Sequence, residues 1–165
     1  MRHWLMKSEP DVFGIADLAK KGTSPWDGVR NYQARNHMMA MAVGDQVFVH
    51  HSSAKPSGIA GLGRIARAAY PDHTAWDPSS DYFDSKSTPE KPRWMMVDVT
   101  YVRTFPRLLP LDELHTVPDL EEMVLLNNTR LSVQPVTPAE AKIILALAAR
   151  PEPPAKPARP KKGSR

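Results

Sequence analysis

Apolar positions along the chain fall in short runs of strand or helix length, separated by glycine, proline and aspartate. Residues 3–7, "HWLMK", read as a first strand. In "VFGIADLAKKG", Ile15, Leu18 and Ala19 share one helical face and Gly22 marks the stop. "NYQARNHMMAM" reads as a helix with Asn31 as its N-cap. The turn "VGD" feeds the strand "QVFVHH". "GIAGLGRIARAAY" reads as a strand whose glycines, at 58, 61 and 63, admit another backbone or a ligand at close range. "RWMMVDVTYVR" carries the strongest strand pattern, being rich in β-branched and aromatic residues. "PLDELH" and "DLEEMVLL" predict short helices, and "LSVQPV" a short edge strand limited by Pro135. Thr137, Pro138 and Glu140 predict a capped final helix over "TPAEAKIILALAAR". No repeat and no regular strand–helix–strand alternation is visible. The expected fold class is α+β: a small mixed, partly open β-barrel flanked by short helices.

Composition narrows this picture. A length of 165 residues suits one domain with a real core. From Pro151 the chain becomes Pro-, Ala- and Lys-rich without apolar period, so residues 1–150 are expected to form the domain and 151–165 a disordered basic tail. Lys and Arg number 22 against 18 Asp and Glu, a net charge of +4. The tail alone holds five basic residues (Lys156, Arg159, Lys161, Lys162, Arg165) and one acid, Glu152, which accounts for the whole excess. The body is therefore neutral, and a polyanion-binding surface there needs local clustering. The tail reads either as a solubilising end or as a basic arm for phosphates. The opening "MRHWLMKSEP" has no apolar signal core, and the run "IILALAA" is far too short to span a bilayer. A cytoplasmic protein with no membrane partner is expected.

Several chemistries lose support. With no cysteine there is no disulfide scaffold, thiol nucleophile or cysteine-held metal. "GIAGLG" lies in a strand pattern and opens no helix, so it is neither a dinucleotide fingerprint nor a P-loop. The six histidines form no helix-face pair, and His50 and His51, adjacent on a strand, point to opposite faces. No metal, cofactor or catalytic residue is expected. An enzyme or small-ligand sensor using Glu9 and His51 as an acid–base pair is the rival reading.

What remains is a concentration of stacking and forked hydrogen-bonding groups in "WDGVRNYQARN", residues 26–36. Trp4 and Trp94 sit in apolar strand patterns and read as core; Trp26 and Trp76 sit in the polar loop patterns "TSPWDG" and "HTAWDPSS". A loop tryptophan either covers the core or offers a wall for a nucleobase. With Tyr32, the two loop tryptophans suffice for a cage. Arg30 and Arg35 suit phosphate, and the amides of Asn31, Gln33 and Asn36 suit the edge of an unstacked base. The bland alternative is a tied-down loop whose amides cap local backbone. Ser8 and Glu9, in "KSEP", close the first strand, where Glu9 is placed to accept from a base amino group or to pair with an arginine.

In order, the stretches "HWLMKSEP", "WDGVRNYQARN", "HHS", "GIAGLGRI", "AYPDHT", "DPSS", "RWMMVDVTYV", "MVLL" and "RLSVQP" resemble the EVE domain family over residues 3–148. The resemblance implies a PUA-like fold related to RNA-binding domains and to the YTH domain, which holds methylated adenine in an aromatic cage. It implies a binding module for a modified, flipped-out base such as methyl- or hydroxymethylcytosine, in DNA or alternatively in RNA. It also implies a pocket lined by Ser8, Glu9, Trp26, Asn31, Tyr32, Arg35, Asn36, His51 and Ser52. One departure is His50, where the family often has tyrosine; it alters the pocket wall only if the side chain faces the ligand.

Overall fold

The computed structural model describes residues 1–151; the expected basic tail lies outside the described residues. Six strands form one mixed sheet in the order β2-β5-β4-β3-β1-β6. These are β1 (His3–Ser8), β2 (Thr23–Trp26), β3 (Gln46–His51), β4 (Gly58–Pro71), β5 (Met95–Pro110) and β6 (Val133–Val136). The edges β2 and β6 are not paired with each other, so the sheet is open. All neighbours run antiparallel except β1 and β3, which are parallel from His3 against Gln46 to Ser8 against His51. That pair matters most for function: two strand C-termini finish side by side, at one end of the sheet.

Among the described residues, six α-helices flank the sheet: α1 (Pro10–Phe13), α2 (Ile15–Lys21), α3 (Tyr32–Ala40), α4 (Leu111–Leu114), α5 (Val124–Asn127) and α6 (Pro138–Ala148). They cover the sheet through two apolar clusters. One joins Trp4, Met6, Val47, Val49, Val97 and Val99 to Ile15 and Leu18 of α2 and to Ala34 and Met38 of α3. The other joins Leu5, Phe48, Ile59, Leu62 and Leu109 to Leu114, Leu125 and, on α6, Ala141, Ile144 and Leu147. Consecutive residues of β1 and β3 thus feed different clusters, as the two-residue side-chain period requires. This explains why both strands read as continuous apolar runs rather than alternating ones. Each fully buried Leu, Ile or Met contributes about 1.5–3 kcal/mol.

Most sequence expectations hold. Asn31 caps α3, its side chain accepting from the Ala34 amide, and Thr137 and Glu140 form the box that starts α6. The glycines of β4 admit backbone: a Cβ at Gly58 or Gly61 would strike carbonyls of β5. β6 is an edge strand that tolerates Pro135. Other expectations need correction. Gly14 splits "VFGIADLAKKG" into α1 and α2, and Ala19 is exposed, leaving Ile15 and Leu18 as the buried face. "DLEEMVLL" divides between a 3₁₀ turn over Pro118–Leu120 and α5. "TSPW" is not a loop but the edge strand β2, paired with β5. Trp76 closes a 3₁₀ turn at His73–Trp76. Among the described residues, no helix is long and apolar enough to cross a membrane.

Candidate functional site

The paired ends of β1 and β3 bring "KSEP" and "HHS" together. The Ser52 amide donates to the Ser8 carbonyl at 3.0 Å, and the Ser8 hydroxyl donates to the carbonyl of Phe13. From the other side comes the loop before β6, fastened by Lys7: its backbone N–H donates to the Ser132 carbonyl and its ammonium to that of Thr129, both at 2.8 Å. Trp26 ends β2 opposite these segments. Between them lies a cleft of about 600 Å³ lined by Ser8, Glu9, Trp26, Asp27, Arg30, Ser52, Tyr82 and Arg130, among others. A second hollow of about 290 Å³ shares Ser8, Trp26, Asp27 and Tyr82 and extends to Phe13 and Lys21. The combined volume accommodates one nucleobase with its sugar.

Trp26 is only 7% exposed. Phe13 packs edge-on to it, ring centroids 6.2 Å apart at 85°. The indole is therefore part of the core, and it also walls both hollows. After it the chain turns at Gly28, with φ of +80°, and a Cβ there would meet the Tyr82 ring at 2.7 Å. Only glycine meets both conditions, the left-handed backbone and the ring lying against it. Tyr82 itself is 37% exposed and borders both hollows.

Arg30 holds this arrangement rather than a phosphate. Its Nε and Nη2 donate to the Tyr82 carbonyl at 3.0 and 2.8 Å. Its Nη1 donates to the Val29 carbonyl and to Asp72 Oδ2, at 2.9 and 3.0 Å, and Nη2 also donates to Thr74 Oγ1 at 3.2 Å. These bonds use all five of its N–H groups. Asp72 is fully buried and also accepts from the amides of Gly28 and Thr74 and from the Thr74 hydroxyl. Burial alone would raise its carboxyl; the hydrogen bonds from Thr74, Gly28 and Arg30 outweigh that and hold it below the usual carboxylate range. Asp27, next to Trp26, goes the other way. Burial, and then the charge of Asp72, push its carboxyl upward.

The second half of "WDGVRNYQARN" leaves the cleft. Asn31 spends its carbonyl on capping α3. Tyr32, 51% exposed, stacks on Trp94 at 4.9 Å and 29°, with the Arg35 guanidinium 4.8 Å from its ring centroid. Arg35 donates to the Arg93 carbonyl and to Asn36 Oδ1. Of these four residues, none lines either hollow. Neither does Trp76, so the sequence-based cage of Trp26, Trp76 and Tyr32 does not assemble. His51 supports the site from behind: its Nε2 accepts the Ile15 amide at 3.0 Å, and no hydrogen bond joins it to Glu9. His50 is 3% exposed with both ring nitrogens unpartnered, so the departure from tyrosine falls in the interior and not on the cleft wall. Burial, aided by the charges of Lys7 and His51, pushes its pKa down to about 4. Among the described residues, no group of three or more His, Asp or Glu is placed to hold a metal.

Sequence reasoning missed Asp27, Tyr82, Arg130 and Asp72. Asp27 stood inside the highlighted motif, and Tyr82 was the aromatic of a polar loop, "DYFD".

The EVE domain profile matches residues 2–147. The chain belongs to the EVE domain family. Human thymocyte nuclear protein 1 is 44% identical over 164 residues, covering 88% of this chain and 73% of that protein. A solved structure of human THYN1 in complex with 5-methylcytosine-containing DNA superposes with a TM-score of 0.87 at 43% identity, over 91% of this chain and 99% of that one. A hypothetical protein from Leishmania major has 52% identity and a TM-score of 0.88, over 90% of this chain and 94% of its own. These likenesses agree with the PUA-like α+β expectation. The cytoplasmic expectation is overturned: the human, mouse and chicken relatives are named as nuclear proteins.

Proposed function

We propose that this EVE domain is a DNA-binding module that accepts a modified, cytosine-like base, swung out of the duplex, in the cleft beside Trp26. The observation that carries the reading is the likeness to the DNA-bound human THYN1, joined to a cleft of about 600 Å³ beside Trp26. Trp26 and Tyr82 supply aromatic surface. Ser8, Glu9, Asp27 and Ser52 supply polar contacts around the ring, and Lys7 and Arg130 supply positive charge along the lining. Extruding a base costs a few kcal/mol, which stacking at about 1–3 kcal/mol per base and edge hydrogen bonds offset. Arg30 acts as the pin that sets the Tyr82 loop. Binding without catalysis suits the site, since His51 is engaged by the Ile15 amide and is not paired with Glu9.

The test is affinity for matched DNA duplexes, and for RNA of the same sequence, bearing cytosine, 5-methylcytosine or 5-hydroxymethylcytosine at one position and fixed salt. A preference for a modified duplex that disappears in Trp26→Ala and in the less disruptive Tyr82→Ala supports the reading. Equal affinity for all bases, or a preference untouched in both variants, contradicts it.

A further inference from the structure

Three carboxylates surround the cleft, and their surroundings differ. Asp72 is buried and saturated by Gly28, Thr74 and Arg30. Glu9 sits exposed at the head of α1 and borders only the larger hollow. Asp27, exposed like Glu9, borders both hollows, directly follows the Trp26 wall, and among the described residues receives no hydrogen bond or ion pair from another side chain. Of the two basic groups whose charge reaches it, His73 makes no ion pair with it, and Arg30 has its five N–H groups committed elsewhere. Gly28, whose amide is tied to Asp72, fixes the turn that presents it. A carboxylate is an acceptor only, and cytosine offers an N4 amine where thymine offers an O4 carbonyl.

We propose that Asp27 is the specificity residue of the cleft, accepting from the exocyclic amine of the bound pyrimidine and repelling the carbonyl of a keto pyrimidine. This rests on the base-reading function above and moves the acceptor role from Glu9 to Asp27. Asp27 is exposed in the open cleft, so a base entering there covers the carboxylate and has to supply it with a donor. Attraction to the amine and repulsion of the carbonyl act together, so discrimination exceeds what either gives alone.

The experiment measures binding to duplexes carrying 5-methylcytosine, thymine or 5-methylpyrimidin-2-one opposite an abasic site, which equalises the cost of unpairing. The last base keeps the methyl group and ring but lacks the amine. The wild-type protein should favour 5-methylcytosine over the amine-less base by about 10- to 100-fold, the value of a hydrogen bond to a charged group. In Asp27→Ala that ratio should fall to near one. Asp27→Asn, which keeps an acceptor oxygen, should retain part of it, and Glu9→Gln, which alters a contact common to all three bases, should shift their affinities together and leave the ratio in place. Thermal melting checks that each variant is folded. A wild-type ratio near one, an unaltered ratio in Asp27→Ala, or its loss in Glu9→Gln overturns the assignment. If instead Trp26→Ala and Tyr82→Ala both bind every duplex like the wild type, the base-reading function itself fails, a separate result.

Discussion

Residues 26–30 and residues 31–36 are contiguous and similar in composition, yet the structure gives them different work. The first half runs from the end of β2 through a left-handed glycine and builds one wall of the cleft. The second half begins with a helix cap and carries Tyr32, Arg35 and Asn36 onto an exposed face of α3, where they satisfy one another and the carbonyl of Arg93. The boundary is Asn31. Once its side chain accepts the Ala34 amide, the following residues take helical directions and diverge from the cleft. A short motif rich in stacking and forked groups is therefore two physical objects, and residue type alone does not divide it.

This contrast is open to direct attack. The largest effects should come from the first half. Arg30→Ala strands the buried Asp72 carboxylate and frees the Tyr82 loop, and Trp26→Ala empties a core position; each should cost about 3–5 kcal/mol in denaturant unfolding. Next comes the pair His50 and His51, adjacent in sequence but differently placed. The folded His50 pKa of about 4 lies below the ordinary value of 6.5. Between these values the unfolded chain takes a proton that the native state refuses, so stability should be full above pH 6.5, decline as pH falls, and level off below about 4. The loss should be about 3 kcal/mol, with His37 and His51, also displaced downward, adding in the same direction. Unfolding midpoints of His50→Phe should lack most of this slope. A smaller effect is expected from Tyr82→Ala: roughly a tenfold weaker hold on modified duplex, for loss of one stacking surface, with little change in melting temperature. Smallest should be Arg35→Ala, below about 1 kcal/mol in stability and without effect on base preference, because the Tyr32 and Asn36 side chains it meets are exposed and lie off the cleft.

Much of the fold was legible because each signal was local. Asn31 and Thr137 cap the helices their positions suggest, and the β-branched and aromatic run after Trp94 forms β5. β2 was not, because four residues including Pro25 carry too little pattern; pairing with β5 makes them a strand. The site was legible in part, and for the same reason. Ser8 and Ser52 converge because β1 and β3 are parallel and end in register, which no window of sequence displays. Tyr82 reaches the cleft only because Arg30 reaches 52 residues along the chain to its carbonyl. Asp72 takes its role from burial, which the string "YPDHT" does not announce.

Replacing one cytosine of a duplex by 5-iodocytosine, whose halogen stands where the methyl group would be, allows the bound base to be crosslinked by light and the attachment mapped by mass spectrometry. Entry of the base into the cleft predicts attachment at Trp26 or Tyr82. Attachment at Tyr32 on α3, or at Trp94 stacked against it, contradicts it.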